Sequence, residues 1–164
     1  MRDGCYPGAS VTLQTTCVDE TEGFGERLGQ ALDRGAIVGL IGPLGAGKTA
    51  LVRGIARACG VDERDVHSPT FLTAAEYEGR LRVAHIDLYR HGDDPPDPEW
   101  LAELLDGDGV AVVEWYEQMP ERDQLDAVVV EIEPGEGDCD RRLRLAASGA
   151  RAASVLEALR SAGG

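Results

Sequence analysis

The chain has 164 residues, room for one domain with one sizeable core and too few for separate binding and catalytic domains. Its composition, 43% hydrophobic and 28% charged, is ordinary for a globular protein, and no apolar run approaches the roughly 20 residues of a membrane span. A formal net charge of -14 argues against extended direct binding to a phosphate backbone, so an anion must be held at a locally corrected site of backbone N–H groups, a cation and a metal.

Met1 to Ser10 lacks the charged lead-in and apolar stretch of a signal peptide. A cytoplasmic protein with no membrane partner is therefore expected, with residues 1–164 as a single domain and residues 1–10 as a flexible N-terminal extension. Cys5, Cys17, Cys59 and Cys139 form no CxxC pair and no ligand spacing with histidine, which points to reduced thiols rather than zinc or a disulfide framework.

Val11 to Val18 reads as a short β-branched strand. Glu22 to Leu32 carries Phe24, Leu28, Ala31 and Leu32 close to helical spacing, ended by Gly35. Ala36 to Ile41 is a continuous apolar run of the buried parallel type. Ala46 to Cys59 predicts an amphipathic helix, stopped at Gly60. Thr70 to Tyr77 and Leu81 to Ile86 predict two strands joined at Glu78-Gly79, and Asp93 to Pro98 an acidic, proline-rich loop before a short helix over Glu99 to Leu105. Gly109 to Glu114 is another buried strand. Leu125 to Glu133 and Arg142 to Ala147 are strands flanking the Pro134–Asp140 loop, and Arg151 to Leu159 closes as a helix. Strands that alternate with helices early and pair antiparallel later predict an α/β fold, a single P-loop NTPase domain whose mixed, partly parallel sheet is flanked by helices.

Residues 42–49 read Gly42-Pro43-Leu44-Gly45-Ala46-Gly47-Lys48-Thr49, the GxxxxGK[ST] pattern, between an apolar strand and an amphipathic helix. The glycines let the backbone curl until successive N–H groups point at phosphate oxygens, and the helix offers its N-terminal dipole to the same anion. Lys48 is placed to reach the terminal phosphates and the Thr49 hydroxyl to ligate Mg²⁺. Gly42, Leu44, Gly45, Ala46, Gly47, Lys48, Thr49 and Ala50 are therefore the candidate nucleotide-binding set. Lys48 is the only lysine beside fifteen arginines among the 16 basic residues. It stands where a planar guanidinium does not fit.

Such a loop needs an acid on a neighbouring strand for the metal and a group that orients the attacking water. Two strands end suitably, one at Asp87 and one at Glu114. Which of the two is closer to Mg²⁺ is open on sequence alone. His67, His85 and His91 share no ligand spacing and read as structural or surface residues. Trp115 and Tyr116 flank the nucleotide or pack, and Arg90 reads as a salt-bridge former before a charge-stabilising arginine. Asp106 to Gly109 matches DxxG but precedes its strand, and no NKxD motif exists, so adenine is favoured over guanine.

Gly42–Thr49 (GPLGAGKT), Ser68–Phe71 (SPTF), His85–Arg90 (HIDLYR) and Glu114–Glu117 (EWYE) occur in that order. Together they resemble the TsaE family, small bacterial ATPases of tRNA threonylcarbamoyladenosine biosynthesis, from about Thr21 to the final helix. The resemblance implies that Lys48 and Thr49 are the phosphate lysine and magnesium hydroxyl. It implies that Asp87 is an essential aspartate near the metal, and Glu114 a metal-linked or water-orienting glutamate. Trp115 would lie beside the nucleotide, Ser68–Phe71 would form a switch-like loop, and Thr21, in the segment before the first helix, would lie near the base. It further implies ATP and Mg²⁺ as ligands, low activity in isolation, and work within a complex of TsaD, the threonylcarbamoyl transferase, and TsaB, its scaffold. ATP turnover would reset that complex, with tRNA met only through those partners. Two positions depart from the family pattern: Pro43 replaces the usual Asp, and Tyr116 the usual Pro.

Two other functions fit a P-loop chain. A small metabolite kinase would need an Arg-rich lid, whereas the available loop at Asp93–Pro98 is acidic. A nucleotide-dependent binding switch with little turnover would keep its role when Glu114 becomes Gln.

Overall fold

The computed structural model describes residues 10–67, 74–89 and 96–163. Among the described residues seven strands form one sheet in the order β1-β7-β6-β2-β5-β4-β3. They are β1 (Val11–Thr15), β2 (Ile37–Ile41), β3 (Ala74–Tyr77), β4 (Arg82–Asp87), β5 (Gly109–Glu114), β6 (Ala127–Pro134) and β7 (Arg141–Ala147). The described α-helices are α1 (Val18–Gln30), α2 (Lys48–Ala58), α3 (Pro98–Leu105) and α4 (Ala150–Ala162). Strands β6, β2, β5 and β4 run parallel, while β3, β7 and β1 join antiparallel at the edges. This is the mixed α/β sheet expected from the sequence.

The strand period of two explains why the centre is apolar throughout. Val110 and Val112 of β5, with Val128, Val130 and Ile132 of β6, face a core shared with Leu28 of α1, Leu51 and Ile55 of α2 and Leu156 of α4. Ala111 and Val113, with Ala127 and Val129, face a second core closed by Leu101 and Leu104 of α3, Tyr116 and Met119. A strand covered on both faces has no polar side, so GVAVVE and IVGLI read as continuous apolar runs. Ile55 and Leu51 are fully buried, and truncating either to Ala would cost about 2–5 kcal/mol.

Helices α1 and α2 meet almost backbone to backbone. A Cβ on Gly54 would lie 2.0 Å from the Glu22 carbonyl oxygen, so only glycine permits the crossing. At the rim of the contact Arg57 of α2 pairs with Glu22, Glu26 and Glu63.

The first elements differ from expectation. β1 ends at Thr15, and α1 begins at Val18 rather than Glu22. Asp19 and Glu20 supply the acidic first turn that a helix N-terminus favours, and Glu20 accepts a hydrogen bond from the Thr16 N–H at 2.6 Å. Thr21 therefore lies within α1, not before it. Helix α4 runs beyond both expected ends, from Ala150 to Ala162. Asp126 fixes its start by accepting from the Arg151 and Ala152 N–H groups, each at 2.9 Å. The expected strand residues Thr70–Thr73 and the start of the acidic loop, Asp93–Pro95, lie outside the described residues.

Candidate nucleotide-binding site

Strand β2 delivers the chain into the glycine-rich loop, and α2 begins at Lys48 directly behind it. Gly45 and Gly47 have φ of 77° and 102°, left-handed values that glycine adopts at little steric cost. The Ala46 N–H donates to the Pro43 carbonyl at 3.1 Å, which closes the turn. No side chain caps α2, so the N–H groups of its first turn, which have no partner within the helix, are left available to an anion. Leu44 is exposed at the tip, and Ala50 is buried in the first turn.

Lys48 is 5% exposed and its ammonium is inside the loop, donating to the Gly42 carbonyl at 2.6 Å and the Pro43 carbonyl at 2.9 Å. Burial holds its pKa below the usual lysine value, and the carboxylates of Glu114, Glu117 and Asp87 pull it back upward. The same ammonium lies 4.1 Å from the centroid of the Trp115 ring. Trp115 occupies the left-handed region at φ 58°, a strained position for a tryptophan, and this bend turns its ring back over the lysine. Tyr89 packs against Trp115, with ring centroids 4.7 Å apart.

Sheet register places the acids beside the loop. Leu40 of β2 aligns with Glu114 of β5, and Glu114 aligns with Asp87 of β4, so both carboxylates stand at the carboxyl edge where the loop leaves β2. Glu114 is buried; its Oε1 accepts from the Thr49 hydroxyl at 3.2 Å and lies 2.8 Å from His85 Nε2. Asp87 is half-buried and its Oδ1 accepts from the Tyr89 N–H at 2.9 Å. Thr49, Glu114 and Asp87 present only hard oxygen donors, the chemistry suited to magnesium. Among the described residues no three His, Cys, Asp or Glu side chains converge into a cage. A cation held here would therefore be completed by phosphate and water oxygens, as magnesium sites commonly are.

Thr21 and Arg141 form the opposite rim. A Cβ on Gly47 would lie 3.9 Å from both Thr21 Cγ2 and Arg141 Nε. Thr21 is buried, its hydroxyl 2.8 Å from that of Thr15. Arg141, the first residue of β7, donates to the Ala46 carbonyl at 2.8 Å and to Gly45 at 3.3 Å. It also donates to the carbonyls of Asp138 and Asp140 at 2.9 and 2.7 Å, tying the loop to the β6–β7 connection. A cleft of about 500 Å³ opens beside Gly42 and Pro43, lined by Trp115, Glu117, Glu131 and Glu133 among others. Its carboxylates Glu117, Glu131 and Glu133 make this cleft unfavourable for phosphate, whereas the first turn of α2 is not lined by them.

Residues 15–143 match the model of the family described as threonylcarbamoyl adenosine biosynthesis protein TsaE. The chain belongs to the TsaE family. A Mycobacterium bovis tRNA threonylcarbamoyladenosine biosynthesis protein TsaE is 42% identical over 132 residues, covering 74% of this chain and 76% of that protein. Its Bacillus subtilis namesake is 34% identical over 151 residues, covering 89% and 91%. The crystal structure of YdiB from the same bacterium superposes with a TM-score of 0.75 at 27% identity, covering 95% of this chain and 97% of that one. This is a family of tRNA threonylcarbamoyladenosine biosynthesis. Among the described residues no helix is long and apolar enough to cross a membrane.

Both departures from the TsaE pattern have a structural setting. Pro43 offers no N–H, yet its carbonyl accepts from Lys48 and from the Ala46 N–H. Tyr116 is 1% exposed and packs against β2: a Cβ on Gly39 would sit 2.3 Å from its Cγ. The ring takes the space that Gly39 leaves empty.

The structure thus gathers Lys48, Thr49, Asp87, Glu114 and Trp115 on one side of the loop and Thr21 on the other. Ser68–Phe71, Arg90 and His91 lie outside the described residues. Sequence reasoning missed Arg141, whose arginine-rich strand carries no spacing signal, and it set aside His85, which is fully buried against Glu114.

Proposed function

We propose that this chain binds ATP with Mg²⁺ and hydrolyses it as an accessory ATPase of tRNA threonylcarbamoyladenosine biosynthesis, resetting a complex of TsaD and TsaB between turnovers. The observation that carries the proposal is the arrangement around α2: the Lys48 ammonium inside the loop, and the Thr49 hydroxyl against the buried Glu114 carboxylate.

The loop and the first turn of α2 bind the phosphates through backbone N–H groups. Lys48 adds the positive charge that offsets the charge developing on the leaving phosphate oxygen. Bound magnesium would supply Lewis-acid charge neutralisation, held by Thr49 with Asp87 and Glu114 nearby. Glu114 orients the attacking water. The water oxygen bonds to the γ-phosphorus as the bond to the β–γ bridging oxygen breaks, giving ADP and inorganic phosphate. Trp115 covers the lysine and restricts water around it. Thr21 lies on the rim from which the nucleoside would extend.

A net charge of -14 fits a subunit that leaves tRNA to its partners. Arg141 spends its donors on loop and hairpin carbonyls, so it staples the loop rather than projecting toward a γ-phosphate. A site that draws its last charge from a partner would turn over slowly alone.

The test is ATP hydrolysis by the purified chain, alone and with TsaD and TsaB, with Lys48→Ala as the blank. Slow turnover that rises with the pair and vanishes in the variant is expected. Fast turnover indifferent to the pair would overturn the accessory role and point to a phosphoryl acceptor.

A further inference from the structure

Buried in the strand just before the candidate aspartate is an imidazole that packing alone does not explain. His85 of β4 is fully buried, with Val83 on the same face of the strand and the Tyr77 ring 6.3 Å away, tilted by 41°. An apolar side chain would suit that environment, and burying a polar ring without partners is unfavourable. Among the described residues the ring has one hydrogen-bond partner, Glu114 Oε1, 2.8 Å from Nε2. Its other nitrogen, Nδ1, is buried without a hydrogen-bond partner among the described residues.

That asymmetry favours one nitrogen for the proton. A proton on Nδ1 would be a buried donor with no acceptor, whereas a proton on Nε2 meets the Glu114 oxygen. Nε2–H therefore donates to Glu114. Register makes the contact possible: His85 aligns with Val112 of β5, so Glu114 lies two residues further along on the same face of the sheet.

We propose that His85 is the positioning residue for Glu114, the fixed donor that keeps its carboxylate aimed at the reacting water when Thr49 turns its hydroxyl to the metal. This rests on the role given to Glu114 above. Glu114 Oε1 has two donors in this structure, Thr49 and His85. Drawing the threonine hydroxyl toward a cation removes one of them. His85 cannot follow, because its strand and the first core, at Val83 and Tyr77, hold it. It leaves Oε2 free for water and fixes the torsion of the carboxylate.

A donor that only orients should govern the rate and not the binding of ATP. Replacing it with phenylalanine, which fills the site without a donor, is expected to lower kcat about 10–100-fold while KM for ATP stays within about threefold. His85→Gln, whose amide N–H can reach Glu114, is expected to recover most of the loss. Melting temperatures of the nucleotide-free variants verify that each is folded. Separately, a long-range ¹H–¹⁵N spectrum of the nucleotide-free wild-type chain should show His85 protonated on Nε2 and bare on Nδ1.

Wild-type kcat in a folded His85→Phe chain would overturn the proposal. So would a glutamine variant no faster than phenylalanine, or a proton on Nδ1. A wild-type chain that never turns over ATP, alone or with TsaD and TsaB, would instead sink the proposed function, and this role with it. Turnover in the wild type with an indifferent His85 would sink only this role.

Discussion

The glycine-rich loop and the acidic wall facing it are built in opposite ways. The loop is a single run, residues 42–49, and its shape is enforced locally by two glycines in left-handed conformations and the helix that follows. The wall is assembled from Asp87, Glu114 and His85, which come together only because β4, β5 and β2 lie side by side in register. Binding an anion needs unpaired N–H groups and a charge, which one turn supplies. Orienting a water and a metal needs side chains from separate strands. The two halves should therefore fail differently: damage to the loop should remove binding, and damage to the wall should remove turnover with binding intact.

The largest break comes from Lys48→Ala. It removes two hydrogen bonds and the ammonium inside the loop. ATP affinity should fall about 10–100-fold by calorimetric titration, as expected for charge-assisted bonds, and turnover should fall to background.

A smaller break attacks the register of the wall. Gly39→Ala drives a methyl into the Tyr116 ring, which over-packs the second core and should lower stability by about 1–3 kcal/mol in urea unfolding. Tyr116→Ala empties a buried site and costs about 3–5 kcal/mol by itself, but the double variant should lose less than the sum of the two single losses, because the clash goes with the ring. A double loss equal to the sum of the two single losses would show that the two residues are uncoupled.

The mildest change tests the staple between the halves of the rim. Arg141→Ala frees the carbonyls of Gly45 and Ala46 and should weaken ATP binding about tenfold, the worth of one or two hydrogen bonds, with little change in melting temperature. Unchanged affinity would mean that the loop holds its shape without Arg141.

What could be read in the sequence follows the same division. The loop, β2 and α2 were legible because their determinants are contiguous: an apolar run, spaced glycines, then helical periodicity. β5 was legible for the same reason. The start of α1 was misplaced because Val11, Thr12, Thr15, Thr16 and Val18 look like one β-branched strand. The marker of the helix start, an acidic first turn, is visible only once the strand is known to stop at Thr15. Arg141 contacts a residue 95 positions earlier, and no local spacing encodes that. His85 sits in an apolar strand run, where a lone histidine reads as core, and it is indeed core. What the run conceals is the glutamate two residues along the neighbouring strand. Tyr116, where the family usually has Pro, makes sense only beside Gly39.

The most direct test of the division is Glu114→Gln, with ATP affinity and ATP turnover measured on the same sample in the presence of TsaD and TsaB. The amide keeps the shape of the side chain but loses the charge that orients water. Affinity should stay within about threefold of wild type while turnover falls about 100–1,000-fold, and the variant should hold ATP uncleaved. Turnover near that of the wild type, or loss of ATP binding in step with the rate, would contradict the account. Glu114 would then be part of the binding machinery or a structural residue, not the group that drives hydrolysis.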